Sequence, residues 1–482
     1  MALIIVILSV AILILAAIAL VGGLEQALPF AAFACLLIPA ACKIPIPGLF
    51  DVTGQRLILV TLLVFFIFRM SPDSKASPVQ RVPLALLMVA NVAWSLVSTA
   101  NSIVPLMSIK KLLAEVLEYY CLYIIYVKTI SSVQTIYRIL YAMVSAIFVC
   151  SIFGFFEAYT NWSVLSLFPI GEGRIAATLG VSFGHGGGIS ATFPHRILYG
   201  AALAVGITLA MHLFKVAESR RKRVFLWVAI LLMFLNIYKT VSRGPWLGII
   251  LAFILLFLFE PGKMRKYQMV IAALALAVLI IRPGVLETIR DLYGETFDVR
   301  WGNPKGLSTE YRFELRRIAQ ATLARDFRRE LWGYGMESFV DLNLEGELAG
   351  HRMPFLSCDS AWIELMLETG YVGLLLIACL LLMPAFLAWR DFRRLPSPDR
   401  YLSLTLFVTM TIYYFMMLGV AMYAWGQEGY MLWILIAASI VYGRLKRPVA
   451  LPAGVMTGTP ENGPPLVKAG PANSKSLSWG QV

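Results

Sequence analysis

Arginine and aspartate side chains are the groups in this sequence best suited to chemistry. Arg174, Arg196, Arg243, Arg312 and Arg316, with Asp359, all fall on one side of the chain's apolar segments by the span count given below. A guanidinium stays charged at any working pH, and its planar fork meets phosphate oxygens in pairs. Several together suit a phosphate-bearing ligand. A carboxylate beside them can act as a general base that takes the proton of a hydroxyl. Each residue also has a plainer reading. An arginine at the end of a membrane span can anchor it by reaching to the interface, and an aspartate before a helix can be its N-cap.

The local settings separate these residues. Arg243 lies in TVSRGPWLG, between two apolar stretches and in a turn too short to be a free loop. Gly244 lets a ligand approach the backbone, and Pro245 suits the first turn of the next helix, whose free N–H groups favour an anion. Arg174 lies in GEGRIAATLG, and Arg196 follows His195 in TFPHRILYG. Arg312 and Arg316 are one turn apart on a predicted helix over 308–330, capped by Ser308 or Thr309, with Phe313, Ile318, Ala321 and Leu323 as its apolar face. Asp359 opens DSAWIELMLETGYVG, with Glu368 nine residues on and glycines at 370 and 373. A Glu at that depth must face inward or pair within the bundle, because facing lipid is costly.

What must position these residues is a set of membrane helices. The chain has 482 residues, 59% hydrophobic and only 14% charged, against roughly 25% charged in soluble domains. Its apolar blocks are long enough to span a bilayer at about 20 residues each. Spans are predicted at 3–22, 26–42, 55–70, 83–100, 112–128, 135–157, 195–215, 223–241, 246–260, 267–282, 359–389, 401–420 and 428–444. Read as one tight hairpin around Gly22-Gly23, the first two bring the number to twelve. The expected fold is an all-α polytopic membrane protein of about 12–13 transmembrane helices.

Basic connections at 69–81, 215–223, 263–266, 390–400 and 444–447 fall on one side, which the positive-inside rule assigns to the cytoplasm. Segments 158–194 and 283–358 then lie outside. The net charge of +13 follows from this topology, and nucleic acid is not an expected partner. Six cysteines in no metal or redox spacing argue against a disulfide framework or a metal site. The domain expectation is one membrane unit over 1–447 and a disordered cytoplasmic tail over 448–482, rich in Pro, Gly, Ser and Asn.

In order and spacing, SRGPWLG, then YRFELRRIAQATLARDFRRELWGYGMESF, then DSAWIELMLETGYVGLL resemble the O-antigen ligase and Wzy-type polymerase superfamily of membrane glycan transferases. The upstream TFPHRILYG resembles a further family segment, and the likeness covers roughly residues 170–375. It implies a large, partly helical periplasmic loop and a glycosyltransferase that uses a glycan on undecaprenyl diphosphate, with no metal and no cofactor. By similarity, Arg243 and Arg312 hold the donor diphosphate, and Arg196, Arg174 and Arg316 are weaker members of the same cluster. Charge balance by arginines lets the diphosphate leave without a metal.

Ligases carry His-Asn where this sequence carries Asp359-Ser360. Asp359, or His351 from the loop, then becomes the candidate catalytic base. The departure argues for a polymerase of capsule, exopolysaccharide or O-antigen repeats over a ligase acting on a lipid core or protein. The expected partners are the lipid-linked donor, a glycan acceptor and membrane lipid, and a chain-length regulator is compatible with them. A lipid-linked glycan transporter is the rival of another class. It would more often show two similar halves and mid-span charges, and no such halves are evident. The expected location is the bacterial inner membrane, with the site facing the periplasm.

Overall fold

A computed structural model describes residues 2–44, 46, 51–69, 82–168, 188–260, 290, 293–424 and 426–447. The predicted span 267–282, the basic connection 263–266, Arg174 and the tail 448–482 lie outside them. Residues 1–446 form one compact unit.

The described residues fold into fifteen α-helices and two short antiparallel strand pairs, β1 (Lys43–Ile44) with β2 (Val52–Thr53) and β3 (Glu345–Leu348) with β4 (His351–Pro354). Helices α1 (Ala2–Val21) and α2 (Leu24–Leu37) form the expected tight pair, turned at Gly23 with φ 88°. Next come α3 (Gly54–Arg69), α4 (Ala85–Ala100) and α5 (Pro105–Glu115). The last runs through a π turn at Val116–Tyr120 into α6 (Cys121–Thr129). Then follow α7 (Val133–Thr160), α8 (Arg196–Val216), α9 (Arg220–Lys239) and α10 (Arg243–Phe259). The long loop carries α11 (Pro304–Leu323) and α12 (Phe327–Trp332). The chain closes with α13 (Ala361–Arg394), α14 (Arg400–Met416) and α15 (Gly426–Lys446).

Twelve of the thirteen predicted spans coincide with helices, because an uninterrupted apolar run can satisfy its backbone without water only by helical bonding. Four helices, α1, α7, α8 and α13, are long and apolar enough to cross a membrane by length and composition. The chain is an all-α membrane protein. Helix α8 is buried on nearly every side, and its small residues allow close approach. A Cβ on Gly200 would meet the Pro245 ring at 2.5 Å, so α8 and the start of α10 are in close contact.

The loop has a core of its own. Leu315, Ala319 and Leu323 of α11 pack with Phe339, Leu344 and Phe355 against Met366 and Leu367 of α13. This corrects the predicted face: Phe313 is 69% exposed, and the buried stripe runs at i, i+4 through 315, 319 and 323. The predicted boundaries also shift. Asn303 accepts from the Gly306 amide at 3.4 Å and opens the helix ahead of Pro304, so neither Ser308 nor Thr309 is the cap. The helix ends at Leu323, and Asp326 caps α12 by accepting from the Arg328 amide at 2.9 Å.

Helix α13 contains a break. Gly370 has φ 69° and ψ −175° inside the run, a conformation open to glycine at little cost. The carbonyls freed at the break are taken by the loop and by α4. Tyr334 N donates to Leu367 O at 2.8 Å, and Gly335 N donates to Glu368 O at 3.0 Å. Ser98 Oγ donates to Glu368 O at 2.6 Å, and Trp94 Nε1 to Thr369 O at 3.0 Å. The fit is reciprocal. A Cβ on Gly333 would lie 2.5 Å from the Glu368 backbone, and one on Gly370 would collide with the Leu331 carbonyl. The loop stretch RRELWGYGMESF therefore docks on the ETG break of α13.

Candidate active site

Three elements bring the arginines together. Arg243 is the first residue of α10 and follows a turn in which Val241 has φ 51°. Its Nη1 donates to Thr296 Oγ1 at 2.7 Å, and it lies within electrostatic reach of Arg312. Arg196 is the first residue of α8. A Cβ on Gly188 would lie 2.8 Å from both Arg196 Cδ and the Thr240 carbonyl, so the Arg196 stem runs beside the turn that leads to Arg243.

The segment under Arg196 is held from below. Glu157, near the end of α7, accepts from the amides of Ala191 at 2.7 Å and Ser190 at 3.2 Å. Ile189 N donates to Lys239 O at 3.3 Å, tying the same segment to α9. His195 is the N-cap of α8, and its Nδ1 accepts from the Ile197 amide at 3.2 Å. Burial, with the Arg196 charge in second place, pushes its imidazole down to about 4. The neutral ring that results is what a cap acceptor requires.

Arg312 and Asp359 form the second half. Arg312 Nη2 lies 3.5 Å from Asp359 Oδ2, with both side chains about one third exposed. Arg312 Nη1 donates to Ser308 Oγ at 3.2 Å, and its Nε is buried with no hydrogen-bond partner among the described residues. Asp359 accepts from Ser357 Oγ at 3.4 Å. Burial raises the Asp359 carboxyl above the usual aspartate value, while Arg312 and then Ser357 act the other way. The N-cap of α13 is Ser360 and not Asp359, and no side chain caps that end. The plain reading of Asp359 as a cap therefore fails, and its carboxylate is turned toward Arg312.

Other candidates stand apart. Arg316 is exposed and makes no hydrogen bond or ion pair with a described residue. His351 is exposed at the tip of the hairpin β3 (Glu345–Leu348) and β4 (His351–Pro354), with its ring 4.4 Å from that of Trp301. Neither is bonded to Asp359 or Arg312. Among the described residues, no group of three or more His, Cys, Asp or Glu is placed to hold a metal ion.

The sequence reading missed an ion-pair cluster on the same helix as this site, built on one lysine. Lys111 of α5 touches Glu368 and Glu364 of α13 and Glu337 of the loop, at 2.9, 3.2 and 3.3 Å. Its signal was a Lys-Lys pair at the edge of an apolar run, which reads equally well as an interfacial anchor. Glu368 is 1% exposed and pairs within the bundle, as its depth requires.

Residues 228–378 match the family model described as O-Antigen ligase (Wzy_C). The match covers about a third of the chain and takes in Arg243, α11, the loop and the first half of α13. The resemblance carried by the motifs is thus to the O-antigen ligase and Wzy-type superfamily of glycan transferases. No curated protein matches the chain.

Proposed function

We propose that this chain polymerises lipid-linked oligosaccharide repeat units, taking as donor a glycan on undecaprenyl diphosphate at the periplasmic face of the bacterial inner membrane. The observation that carries the reading is that the Arg312 guanidinium lies 3.5 Å from the Asp359 carboxylate, with the Arg243 charge within electrostatic reach of Arg312. Two guanidiniums within reach of one another repel, and Arg312 has a buried N–H with no hydrogen-bond partner among the described residues. A ligand with two adjacent phosphate charges answers both.

The chemistry is a displacement at the anomeric carbon. The acceptor hydroxyl oxygen forms the new glycosidic bond while the bond from the anomeric carbon to the diphosphate oxygen breaks. The acceptor proton passes to the Asp359 carboxylate. The diphosphate leaves with the bonding electron pair, and Arg243 and Arg312 balance its charge as it develops. Arg196, beside the Arg243 turn, is an outer member of the cluster.

Ligation of a finished glycan to a lipid core or to protein uses the same donor chemistry, and the description of the matched family favours it. Asp359-Ser360 in place of His-Asn favours the polymerase. Deleting the gene and resolving surface and secreted polysaccharide by electrophoresis separates them. Loss of long chains with single repeats still transferred supports the polymerase. Full-length polymer held on its lipid carrier supports the ligase, and unchanged glycan overturns both. Complementation by Arg243→Ala or Arg312→Ala at normal protein levels should give no product, and normal polymer from both would sink the mechanism.

A further inference from the structure

Asp359 has few strong ties of its own, since its bonds to Arg312 and Ser357 are 3.5 and 3.4 Å long. Its place is set by the backbone. Ala361 N and Ser360 Oγ both donate to Met417 O, at 3.0 and 3.5 Å, and beyond them lie the first turns of α13. Those turns are a short piece, because the break at Gly370 cuts the hydrogen-bond ladder that would join residues 361–369 to the rest of α13. A helix shorter than about 12 residues is marginal without tertiary support.

Besides the loop residues already described, that piece is supported by a side chain outside the matched family segment. Glu364 and Glu368 are one turn apart on the same helical face, and the Lys111 ammonium contacts both, with Glu368 holding it through both oxygens at 2.9 and 3.1 Å. The same ammonium reaches Glu337 at 3.3 Å. Glu368 Oε1 also accepts from the Glu337 amide at 2.7 Å. One cation thus ties α5, the loop and the front of α13 at a single point. Without it, three carboxylates would face one another, and Glu368 would be buried with no countercharge.

We propose that Lys111 is a positioning residue for glycan transfer, holding the front of α13 so that the Asp359 carboxylate sits where the acceptor hydroxyl must lose its proton. This rests on the reading of Asp359 as the base. Lys111 touches neither the donor arginines nor Asp359, so its effect is on the chemical step. A misplacement of about 1 Å is enough to cost roughly 100-fold in rate.

The test uses the full-length chain in isolated membranes, with a lipid-diphosphate-linked repeat unit as donor and turnover normalised to folded protein. Lys111→Met should lower turnover by about 10- to 100-fold while the donor KM stays within about twofold, as expected when only the transition state is affected. Lys111→Met/Glu368→Gln removes the stranded charge and should fold where the single variant does not, with the same loss of turnover. Wild-type turnover per folded molecule in either variant would overturn the proposal, as would a loss confined to protein amount. Arg243→Ala in the same assay keeps the two claims apart. If it stays active, the functional reading falls. If it is dead while Lys111→Met is fully active, only the role of Lys111 falls.

Discussion

The Asp359 carboxylate and the Arg312 guanidinium face each other across 3.5 Å, each about one third open to solvent. The group proposed to receive the acceptor's proton is thus held by a group proposed to take up the leaving diphosphate. The contact is long for a charge-assisted bond, which is ordinarily 2.7–2.9 Å, so Arg312 can turn toward a diphosphate without breaking a tight pair. Proton transfer to Asp359 would also release Arg312 from its partner as the diphosphate charge appears.

Arg312→Lys should retain measurable but reduced transfer, and Arg312→Ala none. Lysine keeps the charge but offers a point where arginine offers a fork. Donor-dependent transfer in membranes, compared at equal protein level, checks this. Equal activity of Arg312→Lys and wild type would show that the fork is not used.

The acid limb of the rate should follow Asp359. A base works only when ionised, so activity falls as pH drops through its pKa. Burial raises that pKa, and the Arg312 charge holds it down. Ser357→Ala removes a 3.4 Å hydrogen bond that favours the carboxylate, so the acid limb should move to higher pH while activity is retained. A limb that stays in place in this variant would assign the titration to another group.

Gly333→Ala should undock the loop. The position has φ +73°, and the new methyl would sit 2.5 Å from the Glu368 backbone. With ψ −162° that backbone is essentially open to glycine alone and costs another residue about 1–3 kcal/mol, and the clash adds to it because the Glu368 and Leu367 neighbours are main-chain atoms. Limited proteolysis should then cut residues 293–358 faster than in wild type. Unchanged protection would mean that the fit at the break has slack.

Glu157→Ala should weaken donor binding, whereas Glu157→Gln should largely keep it. The side chain acts by accepting two backbone N–H bonds, and a carboxamide oxygen can accept them too. Losing both leaves buried amides without partners, at about 1–3 kcal/mol each. A rise in donor KM for Ala and not for Gln is the expected pattern. Equal behaviour of the two variants would point to the charge instead.

The chemically distinctive residues could be read from the chain because they stand out against apolar surroundings. Arg243 in its four-residue turn and Asp359 before a span are expensive placements, and expense is visible in a sequence. Other features were hidden for definable reasons. The start of α11 at Asn303-Pro304 was missed although Asn before Pro is a sound start signal, because Ser308-Thr309 offered a second one nearer the periodic residues. The apolar residues at 313, 318, 321 and 323 keep only an imperfect helical period, and only the packing of α11 on α13 shows that Leu315 and Ala319, with Leu323, hold the buried face. The Gly370 break lies in a run that stays apolar on both sides, so hydropathy passes over it. Lys111 could not be matched to Glu337, Glu364 and Glu368, because the pairs join segments more than 200 residues apart.

At the break in α13, backbone carbonyls are bonded to loop amides and to side chains of α4 and not to the helix's own next turn. Mechanically, then, residues 361–369 are tied sideways to the loop and to α4 and not along the axis to the shaft that continues from Gly370. The two pieces behave as an arm and an axle joined at one glycine. Any swing of the loop that makes room for a bulky glycan must carry the arm with it. Such a swing draws Ser360 and Ala361 off the Met417 carbonyl at the end of α14 and takes Asp359 with them, so the open form would be chemically idle and the closed form the working one.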